Sequence, residues 1–346
     1  MFKSFFHSEN IAIDLGTTFS LIYVQGQGII FNEPSLLAFN QKTGQILAVG
    51  EEAKKMIGKT PPHIQISRPL SRGVVSDFEA TEQIIRYFID KAHQRRIFSL
   101  GLPRIIIGIP LGITEVEKKA VADAAINAGA RRVFLIEELL AAAIGARLSI
   151  REPKGNLIID IGGGTTEVAV ISLGGIVCFK NLKIGGDQFN QDIIRYLQEN
   201  YKLLIGEASA EKIKIDIGEA VPFKEVKEAY IRGRNLVTGL PEELKIDSED
   251  IRKAMEKSLY QIVEAVRDVI EQTPAELLND IMEEGIYLVG GGALLKGLNK
   301  LISQSVEMKT NIVEDPLTAV IRGSGIILEN FEELKDTLLQ TNKELE

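Results

Sequence analysis

Thiols are almost missing from this chain: among 346 residues only Cys178 is a cysteine. One thiol excludes an internal disulfide and a cysteine-based zinc cluster, and it fits a reducing compartment. Cys178 lies in the apolar run 176–179, which reads as an inert core position. The three histidines, His7, His63 and His93, are far apart and suggest no metal site. No apolar run reaches the ~18 residues that a spanning helix needs. No secretory pattern opens the chain, because residues 1–10 are few and strand-like sequence follows at once. A cytoplasmic location is therefore expected. A basic excess is also absent: 48 acidic against 40 basic side chains leave a net charge of -8, which argues against a nucleic-acid partner. No Gly-x-x-x-x-Gly-Lys-Ser/Thr occurs, so a P-loop is excluded. No Gly-x-Gly-x-x-Gly follows a strand, so the dinucleotide fingerprint is excluded as well. No serine or cysteine stands in a recognisable nucleophile setting.

What is present is ordinary in amount and uneven in placement. A hydrophobic share of 45% and a charged share of 25% rule out wholesale disorder. The length suggests about two lobes. Residues 329–346 hold six acids against two lysines, half of the net charge. Residues 91–104 hold Lys91, Arg95, Arg96 and Arg104 with no acid, together with Ile97, Phe98, Leu100 and Leu102.

One pattern occurs twice. Residues 10–18 read Asn-Ile-Ala-Ile-Asp-Leu-Gly-Thr-Thr, and apolar residues 21–24 follow. Residues 156–166 read Asn-Leu-Ile-Ile-Asp-Ile-Gly-Gly-Gly-Thr-Thr, and apolar residues 168–171 follow. Each copy is a buried strand, an aspartate, a glycine turn with threonine, and a second strand, which predicts a β-hairpin. Asp14 and Asp160 stand 146 positions apart, about one lobe. Between and after the hairpins, helical and strand periodicities alternate. Helices are predicted over 78–92 (Asp77 as N-cap), 114–128 (a Thr114/Glu117 capping box), 138–146, 188–201, 209–217, 248–272 and 293–305. Strands are predicted over 105–110, 133–136 and 286–289. This alternation defines an α/β class. No low-complexity linker divides the lobes, so a tight hinge is expected.

The turns carry the chemistry. Glycines between strands let backbone N–H groups approach an anion, and threonine hydroxyls add donors to phosphate oxygens. Asp14 and Asp160, at strand ends, suit a hydrated Mg²⁺, which needs few carboxylates. One such turn is as well explained by an ordinary hairpin; two of matching form favour a polyphosphate held from both sides. A third glycine cluster, Gly290, Gly291 and Gly292 before Ala293, follows a predicted strand and suits close approach to a nucleoside.

Together these features resemble the actin-like ATPases, and in particular the MreB family of bacterial actins. The resemblance extends to 32–35, 68–69, 73–78, 128–133, 135–143, 204–208, 232–236 and 290–295, in family order along nearly the whole chain. It implies an α/β actin-like fold of two similar lobes and four subdomains around a nucleotide cleft. The lobes are expected at 1–145 (outer subdomain about 32–66) and 146–328 (outer subdomain about 182–245), before an acidic tail at 329–346. It implies ATP and Mg²⁺ as ligands. By motif, Asp14, Gly16, Thr17, Thr18 and Phe19 form the first phosphate loop, and Gly162, Gly163, Gly164, Thr165, Thr166 and Glu167 form the second. Glu211, Lys212, Ile213 and Lys214 fall where the family contacts ribose and base. Gly290, Gly291, Gly292 and Ala293 close the adenine side. Asp14 and Asp160 hold Mg²⁺ through water, and Glu138, Asp160 and Thr165 are the catalytic candidates, with Glu137 the alternative to Glu138. The chain departs from the family where Glu138-Leu139 replaces Glu-Pro and where Thr17-Thr18-Phe19 replaces Thr-Ala-Asn.

The resemblance further implies ATP-dependent homopolymer filaments on the membrane that organise the cell-wall elongation machinery and hold rod shape. The residues add their own argument for an anionic membrane surface: cations around Ile97 and Phe98, and Phe2, Phe5 and Phe6 beside Lys3, suit an interfacial anchor on the inner face of the cell membrane. The rival actin-fold readings are a chaperone-type ATPase and a small-molecule kinase. A chaperone would need a further domain beyond about Gly325, where little chain remains. A kinase would need a base aimed at a hydroxyl, and no candidate is evident.

Overall fold

The computed structural model describes residues 10–71, 73–93 and 102–339. The membrane candidates Phe2, Phe5, Phe6, Ile97 and Phe98 lie outside them. The chain divides into two compact units, residues 1–151 with 318–346, and residues 152–317.

Unit 1 opens with β1 (Ile11–Leu15), β2 (Phe19–Val24) and β3 (Gly28–Pro34). A small outer part follows: β4 (Leu37–Asn40), β5 (Ile46–Val49), α1 (Glu51–Met56), β6 (Ile64–Ser67), β7 (Leu70–Ser71) and β8 (Val74–Val75). Then come α2 (Phe78–His93), β9 (Arg104–Ile109), α3 (Glu115–Asn127), β10 (Arg132–Glu137) and α4 (Glu138–Gly145). Unit 2 repeats the opening with β11 (Asn156–Ile161), β12 (Thr166–Ser172) and β13 (Gly175–Leu182). It continues through α5 (Gly186–Tyr201), β14 (Leu203–Leu204), α6 (Glu207–Ile217), β15 (Glu228–Asn235) and β16 (Pro241–Asp247). It closes with α7 (Ser248–Gln272), α8 (Ala275–Glu284), β17 (Ile286–Val289), α9 (Leu298–Val306) and β18 (Thr310–Ile312). The chain then returns to unit 1 as α10 (Ala319–Glu329) and α11 (Phe331–Leu334).

The two main sheets share one topology. Strand order is β3-β2-β1-β9-β10 in unit 1 and β13-β12-β11-β17-β18 in unit 2. In both, the hairpin strands pair antiparallel and the later strands add in parallel. The central strands are buried on both faces, which is why they read as unbroken apolar runs. In unit 1, Ile11, Ile13, Ile105 and Ile107 pack with Ile84, Ile85 and Phe88 of α2. In unit 2, Leu157, Ile159, Val168 and Val170 pack with Phe189, Ile193, Ile262 and Val266 of α5 and α7.

Local signals are present where expected. Asp77 Oδ1 accepts from Ala80 N–H at 3.0 Å, and the Thr114/Glu117 capping box is complete. Two differences have physical causes. The helix expected over 293–305 is a 3₁₀ turn, Gly291–Leu294, and then a separate α9. Gly297 takes φ +80 against the Phe223 ring, and Lys296 is diverted to accept from Ala220 N–H at 2.8 Å. The division between units falls at 151/152, beyond the expected 145/146. Residues 318–328, expected in the second lobe, belong to unit 1 because α10 packs antiparallel on α4. There Gly145 meets the Ala319 carbonyl and Gly323 meets the Ala141 carbonyl.

Candidate nucleotide half-sites

Both aspartates stand at the carboxyl ends of parallel-strand sheets, the usual place for ligands in α/β folds. In unit 1, Asp14 lies one step past the Ile13–Ile107 pair, level with Gly108 of β9. Glu138, the first residue of α4, lies over that same glycine, so that a Cβ on Gly108 would be 3.3 Å from Glu138 Cγ. Asp14 and Glu138 thus flank one backbone position. Glu137 is the N-cap of α4, and burial raises its carboxyl pKa against the opposing effect of Lys118.

The turn between β1 and β2 is braced from outside the motif. Gly16 N–H donates to Phe19 O at 3.1 Å, and the Gly16 carbonyl accepts from Ser35 Oγ at 2.6 Å. Ser20 Oγ lies 2.8 Å from Ser35 Oγ, and Thr17 Oγ1 accepts from Gly73 N–H at 3.1 Å. Thr18 Oγ1 is buried with no hydrogen-bond partner among the described residues. Phe19 is exposed, with Lys54 Nζ 5.6 Å from its ring centroid.

The second turn is tied to a helix start. Gly162 N–H donates to Thr165 O at 2.9 Å. The carbonyls of Gly162 and Gly163 accept from Gly186 N–H (3.0 Å) and Asp187 N–H (2.8 Å), which consumes two of the orphan amides of α5. Thr166 Oγ1 donates to Ile184 O at 2.7 Å, and Glu167, buried opposite Asp160, accepts from Asn181 Nδ2 at 2.9 Å. Burial pushes the Asp160 carboxyl up to about 6. Gly290 has φ +80, and a Cβ there would lie 2.2 Å from Asp160 Oδ1, so the third glycine cluster adjoins this aspartate. Gly292 packs as closely on Ile161, Ala293 is buried beneath, and Gly291 is the first residue of the 3₁₀ turn.

The four candidates on α6 separate by face. Ile213 is a core residue, and Lys212 is exposed and paired with Asp216. Lys214 Nζ donates to Gly186 O at 2.9 Å. Burial lowers the Lys214 pKa, while Glu211, Asp187 and Glu207 oppose the shift. Unit 2 therefore gathers Asp160, the turn 162–166, Gly290 and, through Gly186, Lys214. Unit 1 gathers Asp14, the turn 16–19 and Glu138. Sequence reading missed the braces Ser35, Gly73 and Gly186; the Gly185-Gly186 pair ahead of an amphipathic run was the available signal for the last.

Twin sheets of one topology, each offering an Asp–Gly–Thr turn at the ends of its parallel strands, are the arrangement of the actin-like ATPases. The model of the MreB/Mbl protein family matches residues 8–336. The cell shape-determining protein MreB of Escherichia coli (strain K12) is 48% identical over 329 residues, 94% of this chain and 94% of that protein. The cell shape-determining protein Mbl of Bacillus cereus is 46% identical over 333 residues, 96% of this chain and 99% of that protein. MreB5 of Spiroplasma citri, solved bound to ADP and bound to AMPPNP, matches with a TM-score of 0.90 at 38% identity, covering 95% of this chain and 98% of that one. The MamK double helical filament matches at a TM-score of 0.80 and 20% identity, a likeness of fold alone. The chain belongs to the MreB/Mbl family.

Proposed function

We propose that this chain binds and hydrolyses ATP, assembles head to tail into filaments, and acts in determining cell shape. The observation that carries the reading is the duplication: two Asp–Gly–Thr turns at matching positions of matching sheets, each suited to phosphate oxygens. Family membership supports it, as do the nucleotide-bound structures of the Spiroplasma citri relative and the cell-shape names of the bacterial relatives. A head-to-tail contact is heterologous and generates filaments.

The donor set fits a phosphate–magnesium ligand. Glycine-turn amides and the unpartnered Thr18 hydroxyl suit phosphate oxygens, and Lys214 is a cation beside the second turn. Among the described residues no three His, Cys, Asp or Glu side chains form a metal cluster; Asp14 and Asp160, each at the turn of its own unit, are the carboxylates proposed to meet hydrated magnesium. Bound magnesium would neutralise charge on the phosphate oxygens. Glu138 is the residue proposed to orient the attacking water, with Thr165 beside the transferred phosphoryl group; such chemistry is mainly positioning. Glu138→Gln tests this assignment. Phosphate release should fall by about 10²-fold or more while ATP affinity stays. Unchanged release, with loss in Glu137→Gln instead, would move the role to Glu137.

We also propose contact with an anionic membrane through the phenylalanines near the chain start and through Ile97 and Phe98, beside the cell-wall elongation machinery. Among the described residues no helix is long and apolar enough to cross a membrane, so the contact would be peripheral. Ile11 pairs with Ile105 in parallel, so β1 and β9 begin at one end of the sheet. Two weak anchors repeated along a filament give avidity.

A further inference from the structure

The end of unit 1 where β9 and β10 begin is cationic. Arg104 opens β9, Arg132 opens β10, and the two stand opposite each other in parallel register with Arg131 just before. Arg131 is exposed, and so is Leu102 ahead of β9. Burial lowers the pKa of Arg104, as do Arg132 and Arg131, while Glu332 acts the other way.

The carboxyl-terminal segment lies over this cluster. Phe331 meets Phe134 edge-on at 5.0 Å between centroids. The Arg104 guanidinium sits 4.2 Å from the Phe331 centroid and 5.8 Å from that of Phe134. Arg151 donates to the Glu333 carbonyl, and Leu339 N–H donates to the Leu135 carbonyl at 2.9 Å, an added antiparallel bridge on the outer edge of β10. The segment is acidic: Glu332, Glu333 and Asp336 are exposed, and Lys335, paired with Glu332 at 3.0 Å, is the one cation in residues 331–339. An aromatic–arginine latch thus holds an anionic strap against a cationic edge.

We propose that this edge, formed by Arg104, Arg131 and Arg132, is a contact surface for anionic lipid headgroups, and that the acidic strap occupies it until a membrane displaces the strap. The inference rests on the membrane reading above and adds its regulation. Charge complementarity identifies the occupant, because the strap presents to the arginines the sign of charge that a headgroup layer would. Position agrees, because β1, next to β9, begins at this same end. The strap is anchored by one backbone bridge, one arginine–carbonyl bond, the Phe331 contacts with Phe134 and Arg104, and the buried Leu338, while its three carboxylates stay exposed. Removing the strap's charge would let the positive charge of this edge add to surface attraction, in the manner of other basic clusters near a membrane.

The test is co-sedimentation of the full chain with vesicles containing phosphatidylglycerol and with vesicles of phosphatidylcholine alone. The triple variant E332Q/E333Q/D336N changes only exposed side chains and so preserves the fold. It should bind the anionic vesicles about tenfold more tightly than the parent, lose that gain at high salt, and gain nothing on neutral vesicles. Arg131→Glu added to the triple variant should remove the gain. Hydrogen exchange at Leu339 N–H should quicken when the parent chain is on anionic vesicles. If the parent binds anionic vesicles and the triple variant binds no better, the strap has no such role and the membrane reading stands. If neither binds, both fall.

Discussion

At Asp160 the cost of burying a carboxylate, here one proposed to bind the ligand, is readable in its proton. Burial holds its carboxyl at about 6 instead of 3.8, so the folded chain keeps the proton more tightly than the unfolded one. The favourable contribution is fully present below the unfolded value and is lost as pH rises through about 6. Above that, a buried carboxylate weakens the nucleotide-free protein, by on the order of 3 kcal/mol. Asp160→Asn should therefore raise the melting temperature near pH 8 and flatten its fall between pH 4 and 7. An unchanged slope in thermal melts would show that another group carries it. Lys214 is the complementary case: half-buried and bonded to Gly186 O, it is a cation beside the turn proposed to hold phosphate. Lys214→Met should weaken ATP binding about tenfold or more in a titration, as expected for a charged hydrogen bond. Asp160 was legible in sequence because strand, aspartate and glycines are contiguous. The place of Lys214 was not, because it depends on how α6 packs on α5.

Among the elements, α4 and α10 set the tightest constraint. They run antiparallel at a distance that admits no side chain at Gly145 or Gly323. A Cβ on Gly323 would fall 1.7 Å from the Ala141 carbonyl, and one on Gly145 would fall 1.9 Å from that of Ala319. Gly323→Ala should destabilise the chain by about 1–3 kcal/mol in urea unfolding, the cost of overpacking. Gly44→Ala, in a turn with open space around it, should cost less, from φ strain alone. Equal effects would mean the helices part easily. The alanine-rich run announced α4 as a helix, but nothing in it announced that its partner returns from beyond unit 2. The failed reading of one helix over 293–305 has a similar cause: Gly297 breaks it to fit Phe223, a residue distant in sequence. Local signals such as the Thr114/Glu117 box succeeded because helix caps are satisfied within four residues.

The whole molecule carries a duplicated sheet with an Asp–Gly–Thr turn on each copy, and that duplication was visible as two similar hairpins. Where one unit ends and the other begins was less visible, because the return of residues 318–339 to unit 1 is a matter of packing on α4 and β10. In the proposed function ATP drives this chain to assemble. High-speed pelleting with electron microscopy, at micromolar protein with ATP and magnesium, tests it most directly. Filaments should form only with nucleotide and should be lost in Asp160→Ala. A chain that stays monomeric under those conditions, yet phosphorylates a sugar, would contradict it.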